Sequence, residues 1–342
     1  MSHPWLTAVV FGCGAALACG GVSDQAGSSR LRKDGPPLLT YELPLAQPFS
    51  SEPDSMGFAM AATVAFHGNQ PVVLETANNR IVVFDEHRRP IAHIAREGSG
   101  PGEIRGAMDL AVWHDEFAVV EVTNARVSVF GADGSFLRSF AVPNGFTPIA
   151  YGPDGTLYVN AYDGRNYLLA ADRDGTLRPF GERPFDLYAE QFLTSPASQA
   201  GERFFLAVTD SGTVYVYDPI LGALVAHDQS GRRVGTLALP ENIVKGLTHQ
   251  SALVRRDFGG SGRDATAGIT GLSLVDDGRL LMLFPNVGAI GLVIDPVRRT
   301  AREIRWGPGL DPKFGGFSGV LRGDTLYRLS SDDLRLFRLT PE

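Results

Sequence analysis

Apolar and polar positions alternate along most of this chain in short runs of about five residues, separated by polar turns. Three stretches show the pattern best: VVLETANNRIVVFDEHRRPIAHIA from Val72, AVVEVTNARVSVFGADGSFLRSFA from Ala118 and LYVNAYDGRNYLLAADRDGTLRPFG from Leu157. Each reads as an apolar strand, a polar turn, a second apolar strand, a turn with Asp or Gly, and a third strand. Weaker copies begin at Val214 and Leu280, and a shorter one at Thr325. The second strands end near Phe84, Phe130, Ala171, His227, Ile294 and Phe337, so successive copies are 46, 41, 56, 67 and 43 residues apart. Units of about 40–45 residues with several short strands are the signature of propeller blades.

A further strand precedes each unit, at Ala59–Phe66, Met108–Val112, Thr147–Tyr151, Phe204–Thr209, Ile269–Val275 and Gly316–Leu321. Units one to five then hold four strands each, and the sixth stops at three. The missing outer strand is available near the other end of the chain, as LLTYEL at Leu38–Leu43. Pairing it with Phe337 and its neighbours would close the ring and remove open sheet edges. The expected fold is all-β, a six-bladed β-propeller of four-stranded antiparallel blades over residues 38–342.

The N-terminus breaks the pattern. Leu6–Ala18 is continuously apolar, about the length of a signal-peptide core and too short to span a bilayer of roughly 30 Å. Ala16-Leu17-Ala18-Cys19-Gly20 resembles a bacterial lipobox, which implies a lipid on Cys19. Residues 1–19 read as a signal peptide. Residues 20–37, rich in Gly, Ser and Pro, read as a flexible tether. The expected destination is the periplasm or a lipid-anchored place on the outer membrane or cell surface. Cys13 and Cys19 are the two cysteines of the chain. No disulfide framework or thiolate site is therefore expected in the folded part.

The composition adds constraints. The chain has 342 residues, a formal net charge of −7, 40 glycines and 22 prolines. The Gly and Pro content fits many turns. An acidic balance disfavours nucleic-acid binding, which needs a positive footprint.

ETANNRIVVFD (Glu75–Asp85) and EVTNARVSVF (Glu121–Phe130) resemble the NHL repeat. REGSGPGEIRG (Arg96–Gly106) resembles the inter-blade loop of bacterial six-bladed propeller lipoproteins. The resemblance runs through the chain after about Pro37 and is strongest in the first two blades. It implies an exported binding or scaffold propeller. Glu75, Asn79 and Arg80, and Glu121, Asn124 and Arg126, flank tight hairpins. The acid and the arginine can face each other across the turn, and an Asn can take the left-handed position. These residues are expected to brace their own blades. Gly100, Pro101 and Gly102 are expected to let the inter-blade loop turn sharply.

Two connections are much longer than the others, at 181–203 and 239–268. Both join an outermost strand to the next innermost one, so both should lie over the same end of the channel. Loops of that length are commonly functional. Tyr188, Glu190, Phe192, His249, Arg255, Arg256 and Asp257 are the candidate contacts there, and 241–256 has helical spacing. Arg88/Arg89, Arg232/Arg233 and Arg298/Arg299 sit in turns between third and fourth strands. A basic patch built from such turns could meet anionic lipid or an acidic partner.

The function expected is a non-catalytic module that binds a small ligand or an envelope protein, as a monomer, with no cofactor and membrane contact through the lipid alone. The alternative is a metal-dependent, calcium-type lactonase- or esterase-like hydrolase in the channel. That reading needs Glu, Asn and Asp side chains converging at the strand mouths. The innermost strands AMAATVAF, MDLAVW and ITGLSLV are mostly apolar or small. His67, His114, His227 and His249 share no register, so no metal site and no catalytic residue is assigned.

Overall fold

The computed structural model describes residues 28–44, 49–50, 58, 60–142, 145–161, 165–187, 204–247, 269–284, 289–310, 318–330 and 333–342. Three short strands come first: β1 (Ser28–Arg30), β2 (Arg32–Lys33) and β3 (Leu38–Glu42). Four units of four antiparallel strands follow. The first is β4 (Ala61–His67), β5 (Gln70–Glu75), β6 (Arg80–Phe84) and β7 (Pro90–Ile94). The second is β8 (Ala107–Trp113), β9 (Glu116–Glu121), β10 (Arg126–Gly131) and β11 (Phe136–Ala141). The third is β12 (Gly145–Tyr151), β13 (Leu157–Ala161), β14 (Asn166–Ala171) and β15 (Leu177–Glu182). The fourth is β16 (Leu206–Val208), β17 (Val214–Asp218), β18 (Ala223–His227) and β19 (Arg233–Ala238).

The next seven strands form one larger sheet with β2 and β3. They are β20 (Gly271–Leu274), β21 (Leu280–Leu283), β22 (Gly291–Asp295) and β23 (Thr300–Trp306), then β24 (Ser318–Arg322), β25 (Thr325–Leu329) and β26 (Leu334–Pro341). β3 joins the two halves. It runs antiparallel to β26, with Phe337 opposite Glu42 and Pro341 opposite Leu38. It also runs parallel to β23, with Ile304 opposite Leu38.

The first strands of successive units touch in order: β4 with β8, β8 with β12, β12 with β16, β16 with β20, β20 with β24, and β24 back to β4. The core divides the same way. Six apolar clusters each fill the seam between two neighbouring units. Leu110 and Leu74 share one seam, while Leu336 and Val64 share the seam between the last unit and the first. This explains the sequence pattern. Middle strands such as β5 and β9 are buried on both faces because each lies between two seams, so they read as unbroken apolar runs. β11 lies at the rim and alternates strictly between half-buried and exposed.

One segment departs from expectation. Residues 28–37 were read as part of a flexible tether, but β1 pairs in parallel with β19 and β2 with β23. Leu31 supplies the reason. It is 4% exposed, packed into the seam with Leu237, Leu292 and Ala301, while Arg30 and Arg32 on either side face out. One inward leucine between outward arginines is the alternation of an edge strand.

Candidate functional site

The six innermost strands enclose a cavity of about 820 Å³ on the axis. Its walls are small and apolar at most positions, with Ala62, Ala65, Met108, Val112 and Leu274 among them. Hydroxyls enter at Thr63, Thr270, Ser273 and Ser318. Asp276 and Arg322 also line it and form an ion pair at 3.0 Å. The Arg322 guanidinium lies over the ring of Phe66 at 4.7 Å. The volume falls in the range of small-molecule sites.

Asp109 organises one side of that wall and was not singled out in the sequence. It is 8% exposed. One carboxylate oxygen accepts from the Thr63 hydroxyl and from the Leu110 amide at 2.9 Å. The other accepts from the Ile149 amide at 2.9 Å. One side chain thus ties three successive innermost strands, β4, β8 and β12. The three positions are equivalent. Register shifts just before Thr63, Asp109 and Ile149 mark a bulge in each strand, and a bulge re-aims the following side chain.

The hairpin residues do more than brace their own blades. Glu75 and Glu121 are fully buried, and Arg80 and Arg126 meet them through Nε at 2.6 and 2.8 Å. Glu121 also accepts from Asn124 Nδ2 at 2.5 Å, Ser128 Oγ at 2.5 Å and the Arg105 amide at 2.9 Å. The outer nitrogens of Arg126 then donate to the carbonyls of Ser99, Gly100 and Glu103. Those carbonyls belong to the loop that connects the first two blades. The loop is closed on itself as Glu103 accepts from the Gly100 amide at 2.9 Å. That bond, more than the Arg96 ion pair beside it, holds the Glu103 carboxyl below the usual range. Gly102 has φ +77° in the turn. At Gly106 the loop ends between both hairpins. Its amide donates to Asn79 Oδ1 at 2.9 Å and its carbonyl accepts from Val122 at 3.0 Å. With φ +64° and the Thr123 side chain against it, this position takes glycine alone.

The asparagines are not equivalent. In the shared Glu–Arg register Asn79 of the first blade corresponds to Ala125 of the second, and these two hold the left-handed conformation, at φ 47° and 49°. Asn124, expected there, instead bridges Glu121 and the Gly98 carbonyl.

Tyr188, Glu190, Phe192, His249, Arg255, Arg256 and Asp257 lie outside the described residues, as does Cys19. Of the segment read as helical, 241–247 is an α-helix whose Ile243 and Leu247 enter the core. Helical spacing there reports packing onto the seam.

Other polar residues met the same fate. His227 is fully buried between Tyr167 and Phe180, edge-on to both rings. Burial, with the nearby Arg233 charge, outweighs the Glu182 backbone and Asp228 and pulls its pKa down to about 4. Tyr167 donates to Asp218 at 2.5 Å across the same seam. Arg328, buried in the last unit, donates to the carbonyls of Ile290 and Phe284, and burial lowers its pKa to about 10. Glu116 accepts from Arg138 at 2.6 Å and Arg173 at 3.0 Å, and the Arg138 bond dominates in lowering its pKa. All four tie neighbouring strands or blades.

No group of three or more His, Cys, Asp or Glu among the described residues is placed to hold a metal ion. No helix among them is long and apolar enough to cross a membrane.

Comparison with known proteins agrees with the architecture. A family described as "6-bladed beta-propeller" matches residues 53–178. No curated protein matches the chain. Among solved structures, the chain is similar to a protein from Bacteroides fragilis described as exported, with TM-score 0.57 and 14% identity, covering 92% of this chain and 99% of that one. It is also similar to a catalytically inactive virginiamycin B lyase from Staphylococcus aureus with quinupristin, with TM-score 0.52 and 13% identity, covering 88% and 87%. A gluconolactonase from Xanthomonas campestris matches with TM-score 0.51 and 12% identity, covering 91% and 97%. At such identities the likeness is one of fold, a β-propeller, and the fold hosts both binding and catalysis.

Proposed function

We propose that this chain is an exported, NHL-like six-bladed propeller, closed by β3 and lipid-anchored through Cys19, that binds an apolar small ligand or a partner's apolar side chain in its axial channel. The observation that carries this reading is the cavity wall. It offers small apolar side chains and a few hydroxyls; of its two carboxylates, Asp109 already accepts three hydrogen bonds from the wall itself and Asp276 is paired with Arg322. Such a wall suits a ligand that desolvates apolar surface and takes one or two hydrogen bonds. The exported relative supports the envelope location. The hydrolase reading asks for convergent carboxylates or imidazoles on the axis, and the described channel side chains supply no such set.

The test is a titration of the purified protein with an environment-sensitive apolar dye, beside the variant Ala62→Trp, which fills the channel from its wall. Saturable binding at one site that the variant abolishes is expected. Dye binding unaffected by Ala62→Trp, or a stoichiometric calcium that resists dialysis, overturns the reading.

A further inference from the structure

The N-terminal strap carries a second finding. Its sequence SRLRK folds against the rim so that Leu31 points in and the basic residues point out. Arg32 donates from its backbone to the Arg299 carbonyl at 3.0 Å and from Nη2 to the Arg298 carbonyl at 3.3 Å. The strap is thereby stitched to the turn that carries the Arg298/Arg299 pair. Two basic segments some 265 residues apart become one patch: Arg30, Arg32, Lys33, Arg298, Arg299 and Arg302. Arg302 helps hold the strap through the Pro36 carbonyl at 2.7 Å.

The charge balance is positive on a chain that is acidic as a whole. Four carboxylates lie among these cations. Asp34 accepts from Thr300, and Asp295 pairs with Arg298. Glu241 pairs with Lys245 and Arg30, and Glu303 with Arg305. Counting Lys245 and Arg305, eight cations stand against these four carboxylates and that of Glu342, whose amide donates to the Pro37 carbonyl at 3.0 Å. Val297, at the tip of the same turn, is 90% exposed, the most exposed large apolar residue described. The chain leaves the described residues at Ser28, the start of this strap. Nine residue steps separate Ser28 from Cys19, a reach of at most about 32 Å at ~3.5 Å per step.

We propose that this rim patch, where the fourth and fifth blades meet, docks on an anionic membrane, with the cations at the headgroups and Val297 in the interface. Each cation held near an anionic surface adds about 1 kcal/mol of attraction, independently of any lipid on the chain. The propeller would then sit edge-on, with both mouths of its channel open to the aqueous side. This amends the expectation of membrane contact through the lipid alone. It rests on the envelope reading above, because the partner is a membrane.

The full chain carrying Cys19→Ser, which bears no acyl group, is mixed with vesicles of phosphatidylcholine alone or with an equal part of phosphatidylglycerol, and sedimented. The expected result is at least tenfold stronger partition onto the anionic vesicles, falling as salt rises. The double variant Arg298→Gln/Arg299→Asn should lose most of that preference, at about fivefold per cation removed. Arg88→Asn/Arg89→Gln removes the same charge from the corresponding turn of the first blade and should leave the preference in place. Equal partition onto both vesicles overturns the proposal, and so does an equal loss in the two double variants. Circular dichroism verifies that each variant is folded. Fractionation of cells tests export separately, so failure of the envelope reading and failure of the patch give different results.

Discussion

The Glu121 carboxylate, fully buried, is met at 2.8 Å by Nε of Arg126, whose remaining nitrogens reach the carbonyls of Ser99, Gly100 and Glu103. One guanidinium therefore neutralises a buried acid within the second blade and fastens the loop arriving from the first. Hairpin chemistry and blade-to-blade geometry meet in a single side chain.

Arg126→Gln should destabilise the protein by about 3 kcal/mol, because it leaves a buried carboxylate without its cation. Glu121→Gln should cost less, since the amide keeps one acceptor for Ser128 and the Arg105 backbone. Urea denaturation measures both. Hydrogen exchange adds a second readout: the Gly100 and Glu103 amides should exchange faster in Arg126→Gln. Unchanged exchange there would mean that the loop is held by its own internal bonds.

His227 should make stability fall with acid. Its folded pKa of about 4 lies below the ordinary 6.5, so the unfolded chain takes up the proton first. Between pH 6.5 and pH 4 the folded state loses about 1.4 kcal/mol per unit, and below pH 4 this residue's contribution levels off. The total is at most about 3 kcal/mol. Denaturant midpoints measured from pH 7.5 to 4.5 should slope more steeply in the wild type than in His227→Leu. Parallel curves would show that the imidazole is protonated in the fold at no cost.

Asp109→Ala should leave the Thr63 hydroxyl and the Ile149 amide without their acceptor in the channel wall. Each unsatisfied buried donor costs about 1–3 kcal/mol, so a loss of about 2–6 kcal/mol is expected. Asp109→Asn keeps one carbonyl oxygen and should fall between. Thermal unfolding of the three proteins checks the order. If Asp109→Ala also left dye binding in the channel unchanged, the residue would be a strut of the wall with no part in ligand contact.

The chain's sequence determined its local units. Alternating and unbroken apolar runs dictated strands at the rim and in the seams. A period of about 40–45 residues dictated repeated sheets, and Glu75–Arg80 and Glu121–Arg126 were readable because a hairpin brings together residues five apart. The strand at Leu38 was legible and it pairs with β26, but its parallel pairing with β23, which merges the last two units into one sheet, was not. What joins distant segments was decided only by the tertiary structure. Asp109 looks like a lone acid in MDLAVW until bulges in three strands aim it between its neighbours. His227 looks like a polar residue before a turn until two aromatic rings enclose it. SRLRKDG looks solvated, and one leucine gives no periodicity, yet the seam that accepts Leu31 is built from Ala207 to Ala301, 176 to 270 positions later. Local pattern encodes contacts within a turn or a hairpin. Contacts across the ring exist only once all the sheets have packed, so no short stretch of sequence records them.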